Sequence, residues 1–489
     1  MLSGALGLML AAGSVGGVLA QDATPVASPV ASPGASPVAS PAAGVTLEPG
    51  TLSSSRPYLI ATDPAKYEIT PILTSGESVG DYQFAGSPDG TGAYVDANGD
   101  VVLFVNHEWT PKVPGSDEGG NLSGGRISRL VLDGATGAVL SGDYALDGSE
   151  GYWDLCSGTL FGPRNGFETP VFVSGEETTD GPMVGIAFGV DGASGDVTPM
   201  PWLGHLHHEN QIAVPGFGDK KVVLISDDNS KGSEAHLYVA DSEADLMSGS
   251  GQLYVFKADD AAGTADIAKG DDLTGRFVPI DQADNVDGDS LQAADDAAGA
   301  FRFVRMEDAD FNPATPNVLY FADTGDDADP NLAPDGTPYT LNGRIYQMTL
   351  DPTDPTKVVS FKVILDGDEG DPIINPDNVA VSDDGSTLMV QEDRNGYNRK
   401  ENSDDTGRIF AYDTAAGTIE TVGKLDQSDG EGLVDAVDKA GDWETTGIID
   451  VSAIYGPGTW LTAVQAHTRA TPQLGGTDEG GQLLFIREL

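Results

Sequence analysis

VVLFVNHE, residues 101–108, is an unbroken β-type run ending in a polar cluster, and GRISRLVLD, residues 125–133, follows it as a second apolar run opened by glycine. The first run recurs as PVFVSGEE (ending at Glu177), KVVLISDD (Asp228), NVLYFADTGD (Asp326), TLMVQED (Asp393) and TWLTAVQAH (His467). Glycine-opened partners follow four of these, from Gly251, Gly343, Gly407 and Gly481, while MVGIAFGVD follows Glu177. Length, Val/Ile/Tyr/Phe content and the bounding Gly/Asp/Pro clusters make all of them strands. Amphipathic helical periodicity is hard to find between them. Six copies of one strand–loop–strand unit predict an all-β fold, a six-bladed β-propeller with long loops.

In such a ring the equivalent strand of every blade ends on the same face. Asn106-His107-Glu108, Glu176-Glu177, Asp227-Asp228-Asn229, Asp323 with Asp326, Glu392-Asp393 and Gln465 with His467 are therefore expected to converge near the channel. Carboxylates crowded there repel strongly, so they must hold cations or stay partly protonated.

Outside the repeat, residues 1–20 read as a signal peptide ending in Val18-Leu19-Ala20, although no Lys or Arg precedes the apolar run. Residues 21–55 read as a Pro/Ala/Ser-rich spacer without a core, and 56–489 as the propeller. Export to the cell envelope or the medium is the expectation, with no membrane insertion after cleavage. The formal charge of −52 is spread along the chain and argues against nucleic acid and anionic membrane as partners. A single cysteine forms no intrachain disulfide, so cohesion must come from a large core or bound metal. A self-contained ring gives no reason to expect more than a monomer.

That cysteine, Cys156, lies upstream of Glu176-Glu177. Calcium does not take thiolate, so a ligating cysteine implies a transition ion, with iron ahead of zinc and manganese, beside hard cations on the carboxylates. Along GHLHHEN, residues 204–210, His205 and His207 would share a strand face that His208 does not, which disfavours a three-histidine zinc site and leaves Glu209 as the ligand. GESVG, residues 76–80, matches a nucleophile elbow without its strand–turn–helix context. DNVDGD (284–289) and LDGDEGD (365–371) lack EF-hand spacing and read as turns.

NHEWTP, CSGT followed by GEE, HHE with SDD, RMEDADFNP, NPDNVAVSDDG with QED, and WETTG with QAH, in that order from about Asp81 onward, resemble the PhoX-type alkaline phosphatases. The resemblance implies an exported phosphomonoesterase whose channel holds iron and calcium, with a metal-bound oxygen attacking a small-molecule phosphate ester. It implies that Cys156 belongs to iron and that Glu209 and Glu307 are acidic ligands. Arg305, two residues before Glu307, would grip the phosphoryl group, and Glu108, Glu176, Glu177 and Glu392 would match the remaining acidic signatures. The chain departs from the family at Arg305-Met306-Glu307, where proline is usual in the middle, and at Leu155-Cys156, where asparagine is usual. Glu392-Asp393-Arg394-Asn395-Gly396 replaces a shorter signature, and a phosphate-binding lysine upstream of Cys156 has no counterpart. These changes thin the substrate-binding set and leave the metal ligands. Rival readings are a calcium-only propeller hydrolase, lactonase or phytase-like, and a non-enzymatic binding propeller.

Overall fold

The computed structural model describes residues 45–489 apart from 110–123, 230–231, 282, 284, 327–330, 334–335, 337, 395–405, 428–441 and 474–475. The expected signal peptide, most of the spacer, and Asn395-Gly396 lie outside the described residues. The end of the spacer does not behave as one. Thr46–Leu47 pairs in parallel with Ser78–Val79, and Leu47 is buried in a core cluster, so the folded chain begins before residue 56.

Six antiparallel blades follow. Blade 1 is Pro88–Val95, Val101–His107, Arg126–Leu132 and Val139–Leu146; blade 2 is Gly158–Phe161, Val171–Gly175, Ile186–Asp191 and Val197–His205. Blade 3 is His208–Val214, Lys221–Asp227, Ala235–Ala240 and Gln252–Ala258; blade 4 is Met306–Phe311, Val318–Asp323, Arg344–Asp351 and Asp354–Asp366. Blade 5 is Pro376–Val381, Thr387–Glu392, Arg408–Asp413 and Thr418–Leu425, with Leu59–Ala61 on its outer edge. Blade 6 is Glu444–Asp450, Thr459–Gln473, Gly476–Glu488 and Tyr67–Thr74.

The first strands of the blades pack in a closed ring, each against the next and the sixth against the first. Tyr67–Thr74 pairs antiparallel with Gly476–Glu488, so the first and last long strands share blade 6 and close the circle. Every blade is packed on both faces, which is why the second strands read as continuous apolar runs: Val101–His107 is buried at every position.

Two features differ from the sequence expectation. GQLYVFKAD is the fourth strand of blade 3, because Ala235–Ala240 intervenes as the third. A fifth strand, Leu273–Pro279, then pairs with the outer strand of blade 4 and merges the two blades into one nine-stranded sheet. Phe256, Phe301, Phe303, Phe321, Tyr346 and Phe361 fill the space between them, with ring centroids 4.8–6.5 Å apart. Second, DNVDGD does more than turn: Asp287 caps an α-helix, Gly288–Ala298, by accepting from Ser290 N at 2.8 Å.

Blade 1 meets blade 2 closely at Gly90, where a Cβ would lie 2.2 Å from Gly158 N and 2.5 Å from the Ser157 carbonyl carbon. Both neighbours are backbone and cannot swing aside. Gly90→Ala is expected to destabilise the fold by about 1–3 kcal/mol through overpacking, read from the midpoint of a urea melt.

Candidate metal centre

A local device repeats around the ring. In five of the six blades a residue one or two positions beyond the second strand donates its N–H to a carbonyl on the segment leading into its own blade's first strand: Glu108 to Ser87 (3.1 Å), Glu177 to Asp154 (2.9 Å), Asp228 to His207 (3.0 Å), Thr324 to Arg305 (2.9 Å) and Asp393 to Asn375 (3.0 Å). Four of these five acceptors are non-glycine residues in the left-handed region: Ser87 (φ 42°), Asp154 (φ 54°), Arg305 (φ 65°) and Asn375 (φ 49°). Such conformations cost of order 1–3 kcal/mol each and persist where the surroundings over-determine them. Two residues further on stand Asp89, Cys156, Glu209, Glu307 and Asp377, and Glu444 opens the first strand of blade 6. In blades 1, 3, 4 and 5 this residue lies inside a register shift, between Pro88 and Thr91, His208 and Gln211, Met306 and Ala309, and Pro376 and Val379. A bulge there re-aims the side chain it contains.

The result is a chain of four ligand groups, each with its donor atoms within 4.8 Å of one another: Asp89, Glu108 and Cys156; Cys156, Glu177 and Glu209; Glu209, Glu307 and Asp377; Asp377, Asp393 and Glu444. Cys156, Glu209 and Asp377 are each shared by two groups. Burial and mutual repulsion hold the carboxyls of Glu108, Glu177, Glu209, Glu307 and Asp377 well above the usual range, and Glu444 is pushed up to about 8. The Cys156 thiol, buried and facing Asp89 Oδ2 at 3.2 Å, is raised by burial first and by Asp89, Glu209, Glu177 and Glu108 next. Both carboxylate oxygens of fully buried Glu209 lack a hydrogen-bond partner. A buried carboxylate without a donor is costly, and a cation shared by the second and third groups would satisfy it. Gln465 Nε2 steadies the first group, donating to Asp89 Oδ2 (2.8 Å) and Glu108 Oε2 (2.7 Å).

Of the residues singled out from sequence, Cys156, Glu108, Glu177, Glu209, Glu307 and Asp393 come together in these groups. Glu176, Asp227 and Glu392 do not. Each precedes by one residue the position that reaches the channel and turns back onto backbone: Glu176 accepts from Trp153 N (2.9 Å) and Gly185 N (3.0 Å), Asp227 from His207 N (3.1 Å), Glu392 from Ile374 N (2.8 Å). Glu392 is also gripped by Arg408 Nε (2.9 Å) and Nη2 (2.8 Å). Asp228 faces Arg305, whose Nε lies 3.0 Å from Oδ1 and Nη2 2.7 Å from Oδ2; the same Nη2 is 3.2 Å from Glu307 Oε1. His208 is buried on Gly204 O (3.1 Å), its pKa pushed down to about 3 by burial. Ser78 of GESVG lies in a two-residue strand beside a turn that Glu77 closes on Thr74 N (2.8 Å).

Sequence reasoning missed Asp89, Asp377 and Glu444. Their signal was present in SPDGT, NPDNV and WETTG, where an acid opens a first strand one blade after another. Beyond Ser157, Asn210, Asp308 and Asn378, the next residues inward, the channel widens into a cavity of about 870 Å³ whose lining excludes all nine group residues.

A closed ring of blades around a thiol and eight carboxylates defines a metal-binding propeller enzyme. The family model of the alkaline phosphatase PhoX matches residues 157–451. The chain belongs to the PhoX alkaline phosphatase family and is a phosphoric monoester hydrolase. The fold is similar to Pseudomonas fluorescens PhoX in complex with vanadate, a transition state analogue, with TM-score 0.64 and 15% identity over 91% of this chain and 98% of that one. It is more loosely similar to the soluble aldose sugar dehydrogenase of Escherichia coli in its apo form, with TM-score 0.40 and 10% identity over 86% and 100%. No curated protein matches the chain.

Cation removal gives a pH-dependent outcome. A carboxyl whose folded pKa is raised, as for Glu444 from 4.5 to about 8, loses stability as pH rises between those values, because the folded state resists ionisation. The chelated protein should therefore melt at a lower temperature at pH 8.5 than at pH 5, and added calcium should reverse the trend. Calorimetry at the two pH values checks this; equal melting temperatures with and without chelator would contradict cation binding.

Proposed function

We propose that the four groups hold a mixed iron and calcium centre and that the protein hydrolyses small phosphomonoesters outside the cytoplasm, as an exported monomer. The observation that carries this reading is the position of one buried thiol at the junction of the first two groups, with only carboxylates in the other two. Thiolate selects a transition ion, whereas all-oxygen groups suit calcium. Cys156 would hold iron with Asp89, Glu108, Glu177 and Glu209; Glu307, Asp377, Asp393 and Glu444 would hold calcium.

When bound, the ions supply Lewis-acid polarisation of the ester and lower the cost of deprotonating the attacking water. The chain's own residues do the rest. Arg305 is partly buried; burial alone would lower its pKa, but Asp228, Glu307 and Glu177 raise it and keep the guanidinium charged. It thus borders the second and third groups, and its planar fork is suited to phosphoryl oxygens in a way lysine is not. With a net charge of −52, binding of a phosphate dianion depends on this local positive field.

Plasma mass spectrometry on protein purified without chelators, wild type beside Cys156→Ser, tests the metal assignment. Iron with calcium is expected in the wild type, and in the variant iron is lost, calcium stays, and hydrolysis of p-nitrophenyl phosphate falls at least about 100-fold. Calcium alone, with activity indifferent to the substitution, would point to a calcium-only hydrolase, and no ester turnover at all to a binding propeller. Arg305→Lys should lower kcat/KM roughly 10- to 100-fold with the metal content unchanged.

A further inference from the structure

The second-strand positions of blades 3 and 4 break the pattern of the ring. Glu108, Glu177 and Asp393 all enter ligand groups from this position, but Asp228 and Thr324 do not, although their backbones are clamped the same way. Asp228 instead receives the Arg305 guanidinium side-on, through Nε and Nη2. Thr324 carries a hydroxyl where blades 1, 2, 3 and 5 carry an acid. Its Oγ1 donates to Glu307 Oε1 at 2.6 Å and lies 2.9 Å from the Pro376 carbonyl, and its N–H holds the Arg305 carbonyl. Both residues are buried, while Arg305 itself is partly exposed.

We propose that Asp228 and Thr324 are positioning residues that set Arg305 and Glu307 for phosphoryl binding rather than cation ligands; this rests on the phosphatase reading above. A third acid at position 324 would face Glu307 and Asp228 and compete for Arg305. Threonine supplies a donor there, so one Glu307 oxygen is tied down and the carboxylate keeps one orientation. Asp228 spends its charge on Arg305, which fixes the plane of the fork before substrate arrives. An arginine at a left-handed backbone position (φ 65°) needs such support from both sides.

The test compares wild type with Asp228→Asn, Thr324→Val and Thr324→Ser, measuring cation content, kcat and KM, and calorimetric binding of inorganic phosphate to the holoenzyme. Asp228→Asn and Thr324→Val should keep the wild-type cation content and lose about 10- to 100-fold in kcat/KM and in phosphate affinity, the range for a hydrogen bond to a charged group. Thr324→Ser should recover most of the loss, and thermal melts screen for misfolding. A missing cation equivalent in Asp228→Asn, or phosphate affinity and kcat/KM both unmoved in Thr324→Val, overturns the proposal. If the wild type turns over no phosphate ester, the phosphatase reading fails; the positioning roles are then decided by phosphate binding, which must still weaken in Thr324→Val and recover in Thr324→Ser.

Discussion

Mutual repulsion among buried carboxylates governs this molecule. Donor atoms lie within 4.8 Å of one another in four linked groups, and two unit charges at that distance repel by about 3.5 kcal/mol at an effective dielectric of 20. Summed along the chain of groups, this exceeds what a single domain has in hand. Protonation relieves it at low pH and cations relieve it above that. The raised carboxyls, the raised thiol and the unpartnered oxygens of Glu209 are three expressions of the same unmet need.

What keeps the groups together against that repulsion is backbone. Five N–H donors beyond the second strands bind five carbonyls ahead of the first strands, and four of those carbonyls belong to strained residues. The residue before each donor reinforces the clamp: His107 reaches Gly86 O (2.8 Å), Glu176 reaches Trp153 N, Asp227 His207 N, Asp323 Val304 N (2.9 Å) and Glu392 Ile374 N. Hence alternate residues at one strand end divide two tasks, one holding the loop and the next facing the channel. Closure of the ring by Tyr67–Thr74 stops the blades from spreading to relieve the charge.

That division explains how far the sequence could be read. The blades were legible because each second strand is a continuous apolar run, a consequence of burial on both faces. Acidic strand ends were legible as a class, yet Glu176 and Glu177, or Glu392 and Asp393, differ by one residue and a half-turn of strand, which only the register resolves. Asp89 and Asp377 were hidden for another reason: each follows a proline and precedes glycine or asparagine, a signature of turns. Their role depends on the bulge in which they sit, and a bulge leaves no mark in composition. The merging of blades 3 and 4 through Leu273–Pro279 was likewise invisible, since edge pairing between distant strands has no local pattern.

Sixfold repetition supplies the ring, and departures from it supply the chemistry. A cysteine in blade 2 in place of an acid makes one end of the group chain soft and leaves the other hard, so blade order alone would sort bound ions by type. An arginine in blade 4 at a position occupied elsewhere by Ser87, Asp154 and Asn375 introduces positive charge beside the two central groups. Asp228 and Glu307, both within reach of that arginine, prevent it from collapsing onto the carboxylates of the second group. The guanidinium is therefore held at the edge of the two central groups, where under the proposed reading an incoming dianion would meet it beside bound metal.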